Sequence, residues 1–311
     1  MKKSAGGLGP WHRGPGRGSL PVLLSCCLAG LAACSPESGT TEAPTAIELE
    51  SAAPERVAED GVRMIPVETA KGTFQVWTKR VGDNPTMKVL LLHGGPGVGH
   101  EYLEPMAEFL PDAGIEVYLY DQLGSYLSDR PEDPDLWQIP RFVDEVEQVR
   151  QALGLGPDNF YLLGHSWGGI LAMEYALAHG GALKGLIISN MMASIPLYNR
   201  YAEEVLMPQM DQDALAEIKA LEAAEDLDNP RYMELLTEHH YVHHFIRMPP
   251  DQWPDALNRA FEHLNHDVYV LMQGPSELGA SGRLVEWDRT GDLSRICLLY
   301  TSDAADDLQP V

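Results

Sequence analysis

Basic residues are scarce in this sequence: 22 lysines and arginines stand against 46 aspartates and glutamates, a formal net charge of -24 at pH 7 and an isoelectric point near 4.7. That balance repels phosphate backbones and anionic headgroups, and so excludes nucleic acid or a membrane surface as the main partner. Cysteine is nearly absent. Cys26, Cys27 and Cys34 lie near the N-terminus and Cys297 near the C-terminus, so residues 35–296 contain none. This span therefore has no disulfide framework and no cysteine metal site. Long hydrophobic runs are lacking too. The uncharged stretch from Leu20 to Ala33 covers fourteen residues, whereas a bilayer crossing takes about 20. No internal repeat is present, which excludes a solenoid or propeller.

What is present falls into unlike parts. Lys2, Lys3, Arg13 and Arg17 give a positive start, and the first acidic residue is Glu37. With the short apolar stretch that follows, residues 1–33 read as a signal peptide rather than a membrane span. The stretch ends in Leu31-Ala32-Ala33-Cys34, which resembles a bacterial lipobox. In that pattern Cys34 becomes the acylated first residue, and Ser35 beside it resembles outer-membrane sorting. An ordinary secretory signal with an incidental Cys34 is the other reading. The expectation is an exported domain on a lipid anchor, at the outer membrane and facing the periplasm of a Gram-negative bacterium. Residues 34–60 are dominated by Ser, Thr, Pro, Glu and Ala without a periodic apolar face, and read as a flexible tether. Residues 297–311, opening Cys297-Leu298-Leu299-Tyr300-Thr301-Ser302-Asp303, resemble the conceptual translation of a sequencing adapter and are set aside from fold reasoning.

Between tether and tail the apolar pattern is that of an α/β domain. Met64–Thr69 and Thr73–Val81 alternate about Ala70-Lys71-Gly72, a hairpin signature. Four continuous apolar runs follow, at Val89–Leu92, Val117–Tyr120, Phe160–Leu163 and Leu186–Ile188. Such runs mark strands buried on both faces. Helical spacing separates them near 102–110, from Phe142 to Leu153, and from Ile170 to Ala178. This alternation predicts a doubly wound, mostly parallel sheet with helices on both faces. Residues 61–190 form its core. Residues 191–285 carry no buried-strand run and predict an inserted helical cap, with helices near 200–225, 231–246 and 254–264. Residues 286–296 start a C-terminal portion of the core.

Two motifs carry chemistry. Gly164-His165-Ser166-Trp167-Gly168 has the G-x-S-x-G form between a buried strand and a helix, the setting of a nucleophile elbow. The tight turn presents the Ser166 hydroxyl at the sheet's carboxyl edge, at the positive end of the following helix. His93-Gly94-Gly95-Pro96-Gly97 directly follows the first buried strand. Its backbone N–H groups, with that of Trp167, suit an oxyanion hole, in which each donor is worth about 3 kcal/mol in the transition state. The Lys-Ser/Thr of a phosphate-binding P-loop is missing.

These motifs, with Tyr120-Asp121-Gln122-Leu123-Gly124-Ser125, Gln273-Gly274-Pro275-Ser276-Glu277 and Trp287-Asp288, resemble the proline iminopeptidase branch of the α/β-hydrolases, of the tricorn-interacting-aminopeptidase type. The similarity spans roughly residues 60–296. It implies that Ser166 is the nucleophile, that Gly95 and Trp167 supply the oxyanion-hole amides, and that Glu277 grips the free α-amino group of a short peptide. No metal or organic cofactor is implied. An esterase or amino-acid amidase on the same fold, or a non-catalytic peptide-binding lipoprotein, are the alternatives. The family places its catalytic Asp in a G-x-x-D-E segment soon after the Trp-Asp motif and its His in a late Gly-His stretch. Residues 289–311 contain neither, so the expectation is that the chain as given lacks its catalytic Asp and His and is an incomplete enzyme, and that resequencing the 3′ end of the gene shows both after Ile296. A second amino-group-binding glutamate, which the family carries just after that Asp, is missing too. His263 and His266 follow Ser166 but precede Glu277, and are not expected to act as the base. His239/His243 and His240/His244 are i, i+4 pairs without an intervening H-E-x-x-H glutamate, which favours cap packing over zinc.

The anchor is directly testable. Cys34→Ala is expected to move the protein from the detergent-soluble membrane fraction to the soluble fraction of lysed cells. Continued sedimentation with membranes contradicts acylation at Cys34.

Overall fold

A computed structural model of the chain describes residues 61–296 together with 300–302. The expected signal, the tether with Cys34, and Cys297 lie outside the described residues. Strands β1 (Val62–Thr69) and β2 (Gly72–Val81) form the anticipated hairpin, with Thr69 opposite Gly72 and Val62 opposite Lys79. β3 (Lys88–Leu92), β4 (Glu116–Tyr120), β5 (Phe160–His165) and β6 (Gly185–Ser189) are the four apolar runs. With β7 (Tyr300–Ser302) they make a seven-stranded sheet in the order β1-β2-β4-β3-β5-β6-β7. The β1–β2 and β2–β4 pairs are antiparallel and the rest parallel.

Both sheet faces are covered, which explains why these strands read as continuous apolar runs. Leu90, Leu92, Tyr118, Tyr120 and Leu162 point into one core with α2 (Ile139–Ala152) and α3 (Trp167–His179). Val89, Leu91, Val117, Leu119 and Leu163 point to the other side, against residues around α1 (Glu104–Phe109). Alternation along each strand thus serves two interiors rather than an interior and solvent.

At the hinge of the first core lies a buried ion pair. The Glu145 carboxylate accepts hydrogen bonds from the Tyr120 hydroxyl, the Arg141 guanidinium and, at 2.8 Å, the Leu123 amide. Arg141 stacks 3.6 Å over the Phe142 ring, and its burial pushes its pKa down to about 10. The arrangement ties α2 to the loop after β4, which carries Gln122.

The cap has its own core of Met210, Leu215, Ile218, Tyr232, Leu236 and Leu278. Its helices are more broken than the apolar spacing predicts. α4 (Ile195–Tyr201) passes into a π-helical turn, and α5 (Gln212–Ala223) begins only where the Asp211 carboxylate caps the amides of Asp213 and Ala214. Pro208, which has no N–H to donate, falls between them. α6 (Pro230–Leu236) continues as a π-helix over Thr237–Phe245, and α7 (Asp255–Glu262) and α8 (His266–Met272) follow. Val268 and Met272 of α8, with Ala280, Leu284 and Trp287, pack in the main core. The two cores therefore interleave along the chain. Trp287-Asp288 locks the segment after the cap. The Trp287 indole donates to Glu174 on α3 at 2.6 Å, and Ser194 donates to Asp288 at 2.9 Å.

Tyr300–Ser302, within the adapter-like stretch, pair in register with Leu186–Ile188. The physical reason is the open edge of β6, whose unpaired backbone groups accept an extended segment with little regard for its side chains. Among the described residues no helix is long and apolar enough to cross a membrane.

Candidate active site

The site is built at the carboxyl ends of β3, β4 and β5. Between β5 and α3, Ser166 adopts φ 54° and ψ -124°, a conformation that costs a non-glycine residue of order 1–3 kcal/mol. The strain is held by backbone packing on either side. A Cβ at Gly164 would stand 2.1 Å from the Gly168 carbonyl oxygen, and one at Gly168 would stand 2.1 Å from that of Leu92. The helix starts at Trp167 rather than at Ile170, because Gly168 and Gly169 form its first turn despite their low propensity.

The glycine-rich loop after β3 is pinned from both sides. His93 is fully buried. Its Nε2 accepts from the Gln122 amide at 3.1 Å, which puts the proton on Nδ1, 2.8 Å from the Gly94 carbonyl. Burial pushes its pKa down, so the imidazole stays neutral and serves as a strut. The Gln122 side chain donates to the His93 carbonyl at 3.2 Å and accepts from the Trp167 indole at 2.8 Å. One amide side chain thus joins the glycine-rich loop to the elbow. The Tyr102 hydroxyl makes a second link: it accepts from the Gly94 amide at 2.6 Å and lies 2.9 Å from His165 Nδ1. Gly95 has φ 112°, and a Cβ there would stand 2.8 Å from the Val98 amide nitrogen. Only glycine fits that turn.

A cavity of about 440 Å³ brings Gly95, Ser166 and Glu277 to one wall system, closed by cap aromatics including Tyr241, Phe245, Phe261 and Tyr269. The volume is within the ~300–1,000 Å³ usual for small-molecule sites. The Trp167 ring is buried in the main core. The amide follows Ser166 at the start of α3, one of the helix positions that lack an intrahelical acceptor.

Glu277 is clamped from several elements. Its carboxylate accepts from the Tyr269 hydroxyl at 2.6 Å. Its backbone carbonyl accepts from the Tyr198 hydroxyl and from His240 Nε2 at 3.2 Å. Burial pushes the Glu277 pKa up, partly opposed by the Tyr269 hydrogen bond. His240 is itself buried, its pKa is pushed down by that burial, and its Nδ1 has no partner among the described residues.

The remaining histidines sort by contact. His263 Nδ1 lies 2.6 Å from a Glu101 carboxylate oxygen, and its ring stacks on Tyr126 at 3.9 Å, joining α7 to the core. His266 lines the cavity. The hydrogen bonds of His93, His100, His240 and His263 run to Gln122, Gly94, Asp121, Glu277 and Glu101, so none of these four imidazoles is engaged as a base for Ser166. Among the described residues no group of three His, Cys, Asp or Glu residues is placed to hold a metal. The support given by Gln122, Tyr102 and His240 is not legible in the sequence. Gln122 lies in a recognisable motif, but its partners are 29 and 45 residues away.

A profile of the α/β hydrolase fold matches residues 88–247. A proline iminopeptidase of Flavobacterium johnsoniae is 57% identical over 235 residues, covering 76% of this chain and 78% of the relative. The chain belongs to the proline iminopeptidase family of α/β-hydrolases. A second proline iminopeptidase, from Chitinophaga pinensis, is 50% identical over 249 residues, covering 79% of this chain and 83% of the relative. Among solved structures, proline iminopeptidase of Mycobacterium smegmatis superposes with a TM-score of 0.66 at 29% identity, over 78% of this chain and 80% of that one. VinJ superposes with a TM-score of 0.70 at 30% identity, over 77% and 80%.

The Gln122 bridge makes a kinetic prediction for this family member. Gln122→Leu keeps the volume and removes the link between loop and elbow. We expect kcat on an aminoacyl anilide to fall about tenfold with KM changed less than about twofold, because an oxyanion donor displaced by a fraction of an ångström is lost mainly in the transition state. An unchanged kcat contradicts the bridging role.

Proposed function

We propose that this chain removes the N-terminal residue of short peptides by acyl transfer to Ser166. The observation that carries the reading is the presence of an enclosed carboxylate, Glu277, in the same cavity as the strained serine and the glycine-rich loop. An ammonium group paired with Glu277 fixes the peptide's first residue, so that its carbonyl lies over Ser166. Attack by Oγ on that carbonyl forms a tetrahedral intermediate, whose oxyanion the amides of Gly95 and Trp167 stabilise. Collapse expels the amine of the shortened peptide, and water then releases the amino acid from the acyl-enzyme. Serine is a weak nucleophile without a base; in the family pattern that base is a histidine in a late Gly-His stretch. The names of the relatives favour a proline at the released position.

The reading extends to location. The lipobox ending at Cys34, the Ser35 beside it and the tether of residues 34–60 support an exported domain held by acyl chains, outside the cytoplasm and reaching peptides in the periplasm.

Glu277 supplies the test. Its raised pKa means that the carboxyl loses its charge at a higher pH than an ordinary glutamate. KM for a free-amino substrate is therefore expected to rise on acidification through that value, while an N-acetylated ester shows no such limb. Glu277→Gln should remove the limb and raise KM at neutral pH by well over tenfold. The linkage sign gives a second readout. A carboxyl whose folded pKa is raised makes folding less favourable as pH climbs from its unfolded to its folded pKa. The Glu277→Gln variant, uncharged at this position, should hence show a higher Tm than the parent at neutral pH. Equal KM in the two proteins on free-amino substrates defeats the aminopeptidase reading.

A further inference from the structure

The helical stretch from Pro230 to Phe245 turns two adjacent faces toward two different spaces. Met233, Thr237, Tyr241 and Phe245, four residues apart, line the cavity above Ser166. Pro230, Glu234, Glu238 and Val242, with the same spacing offset by one, line a second and more open groove of about 1030 Å³. Its far wall is the segment from Arg247 to Pro250. Met233 and Thr237 border both spaces. Met233 is 45% exposed, a flexible thioether on a shared rim rather than a packed partition.

The two cations of the groove differ. Arg231 is engaged with Glu217 at 3.3 Å and Glu234 at 3.5 Å. Arg247 is exposed, and among the described residues no carboxylate lies within 4.0 Å of it. Its backbone is set by φ 53° and by the preceding Ile246 amide, which donates to the Tyr241 carbonyl at 2.9 Å. In a chain with 46 acidic residues, a guanidinium left open at the end of an apolar groove favours an anionic ligand.

We propose that this groove is the subsite for the peptide downstream of the scissile bond, with the peptide's C-terminal carboxylate on Arg247. The proposal rests on the aminopeptidase reading. Glu277 takes the amino end and Ser166 the first carbonyl, so the rest of the peptide leaves the cavity, and the Met233–Thr237 rim opens onto a groove whose proline, methionine and valine walls suit side chains. The ligand class is a short peptide of a few residues with both ends unblocked.

Binding to the Ser166→Ala variant, which cannot turn ligands over, tests this with three probes: prolinamide, a proline-initiated tetrapeptide acid, and the same tetrapeptide as its C-terminal amide. The tetrapeptides should bind more tightly than prolinamide, and the acid about threefold more tightly than its amide at low ionic strength, the range of an exposed ion pair. Adding Arg247→Ala, or raising the salt, should erase the difference between acid and amide and leave prolinamide unchanged. Adding Val242→Trp, at a position that lines the groove and not the cavity, should weaken both tetrapeptides and spare prolinamide. If prolinamide binds, responds to Glu277→Gln, and acid and amide are indistinguishable, the groove assignment falls alone. Prolinamide that fails to bind, or binds regardless of Glu277, overturns the aminopeptidase reading and the groove with it.

Discussion

The close approach of α3 to the strands beneath it governs the rest of the molecule's chemistry. At Gly164 and Gly168 the helix start, β5 and the end of β3 stand so near that a single methyl group would collide with backbone carbonyls. No side-chain rearrangement relieves such a contact, because the colliding atoms are main chain. The approach sets Ser166 in its positive-φ conformation and places the start of α3 against the end of β3 and the glycine-rich loop. Strain at one residue is thereby spread over two strands and a helix, all of them anchored in the main core.

The other parts of the site are positioned against that fixed point. The loop from His93 to Gly97 has little side-chain mass of its own, and its shape is imposed from outside by Gln122 and Tyr102. The loop carrying Gln122 is in turn held by the Leu123 amide on buried Glu145. A chain of hydrogen bonds thus runs from α2 through the loop after β4 to the glycine-rich loop and to Trp167 at the start of α3. On the cap side, Asn265 acts in the same way, donating its amide to the Gly97 carbonyl at 2.9 Å and its side chain to the Gly124 carbonyl at 2.8 Å. The cap therefore touches the loops it covers through fixed polar contacts, and Glu277 lines the same cavity as Ser166 from beside a separately packed core.

How much of this was legible in the sequence follows from the range of the forces involved. Strands buried on both faces announce themselves as apolar runs, and the hairpin, the four parallel strands and the elbow are readable for that reason. The glycines of the two motifs are equally readable, since close backbone approach leaves no other residue. The cap's helix boundaries are less so: Asp211 and Pro208 interrupt a stretch that composition alone presents as continuous helix. Least legible are the struts. His93 reads as part of a loop and His240 as one of four neighbouring histidines, and only the fold shows each as a neutral, buried donor to a carbonyl. The pairing of Tyr300–Ser302 with β6 was illegible for the opposite reason, because an open strand edge selects backbone and not sequence.

The central claim is that Ser166 and the Glu277 carboxylate act on one ligand in one cavity. Covalent labelling by a pair of proline phosphonate esters, one with a free ring nitrogen and one N-acetylated, tests it most directly. The account predicts a mass increase on the Ser166 peptide, faster for the free-amine probe by at least an order of magnitude, with that advantage abolished in Glu277→Gln. Labelling at equal rates by both probes, or at a residue other than Ser166, would contradict it.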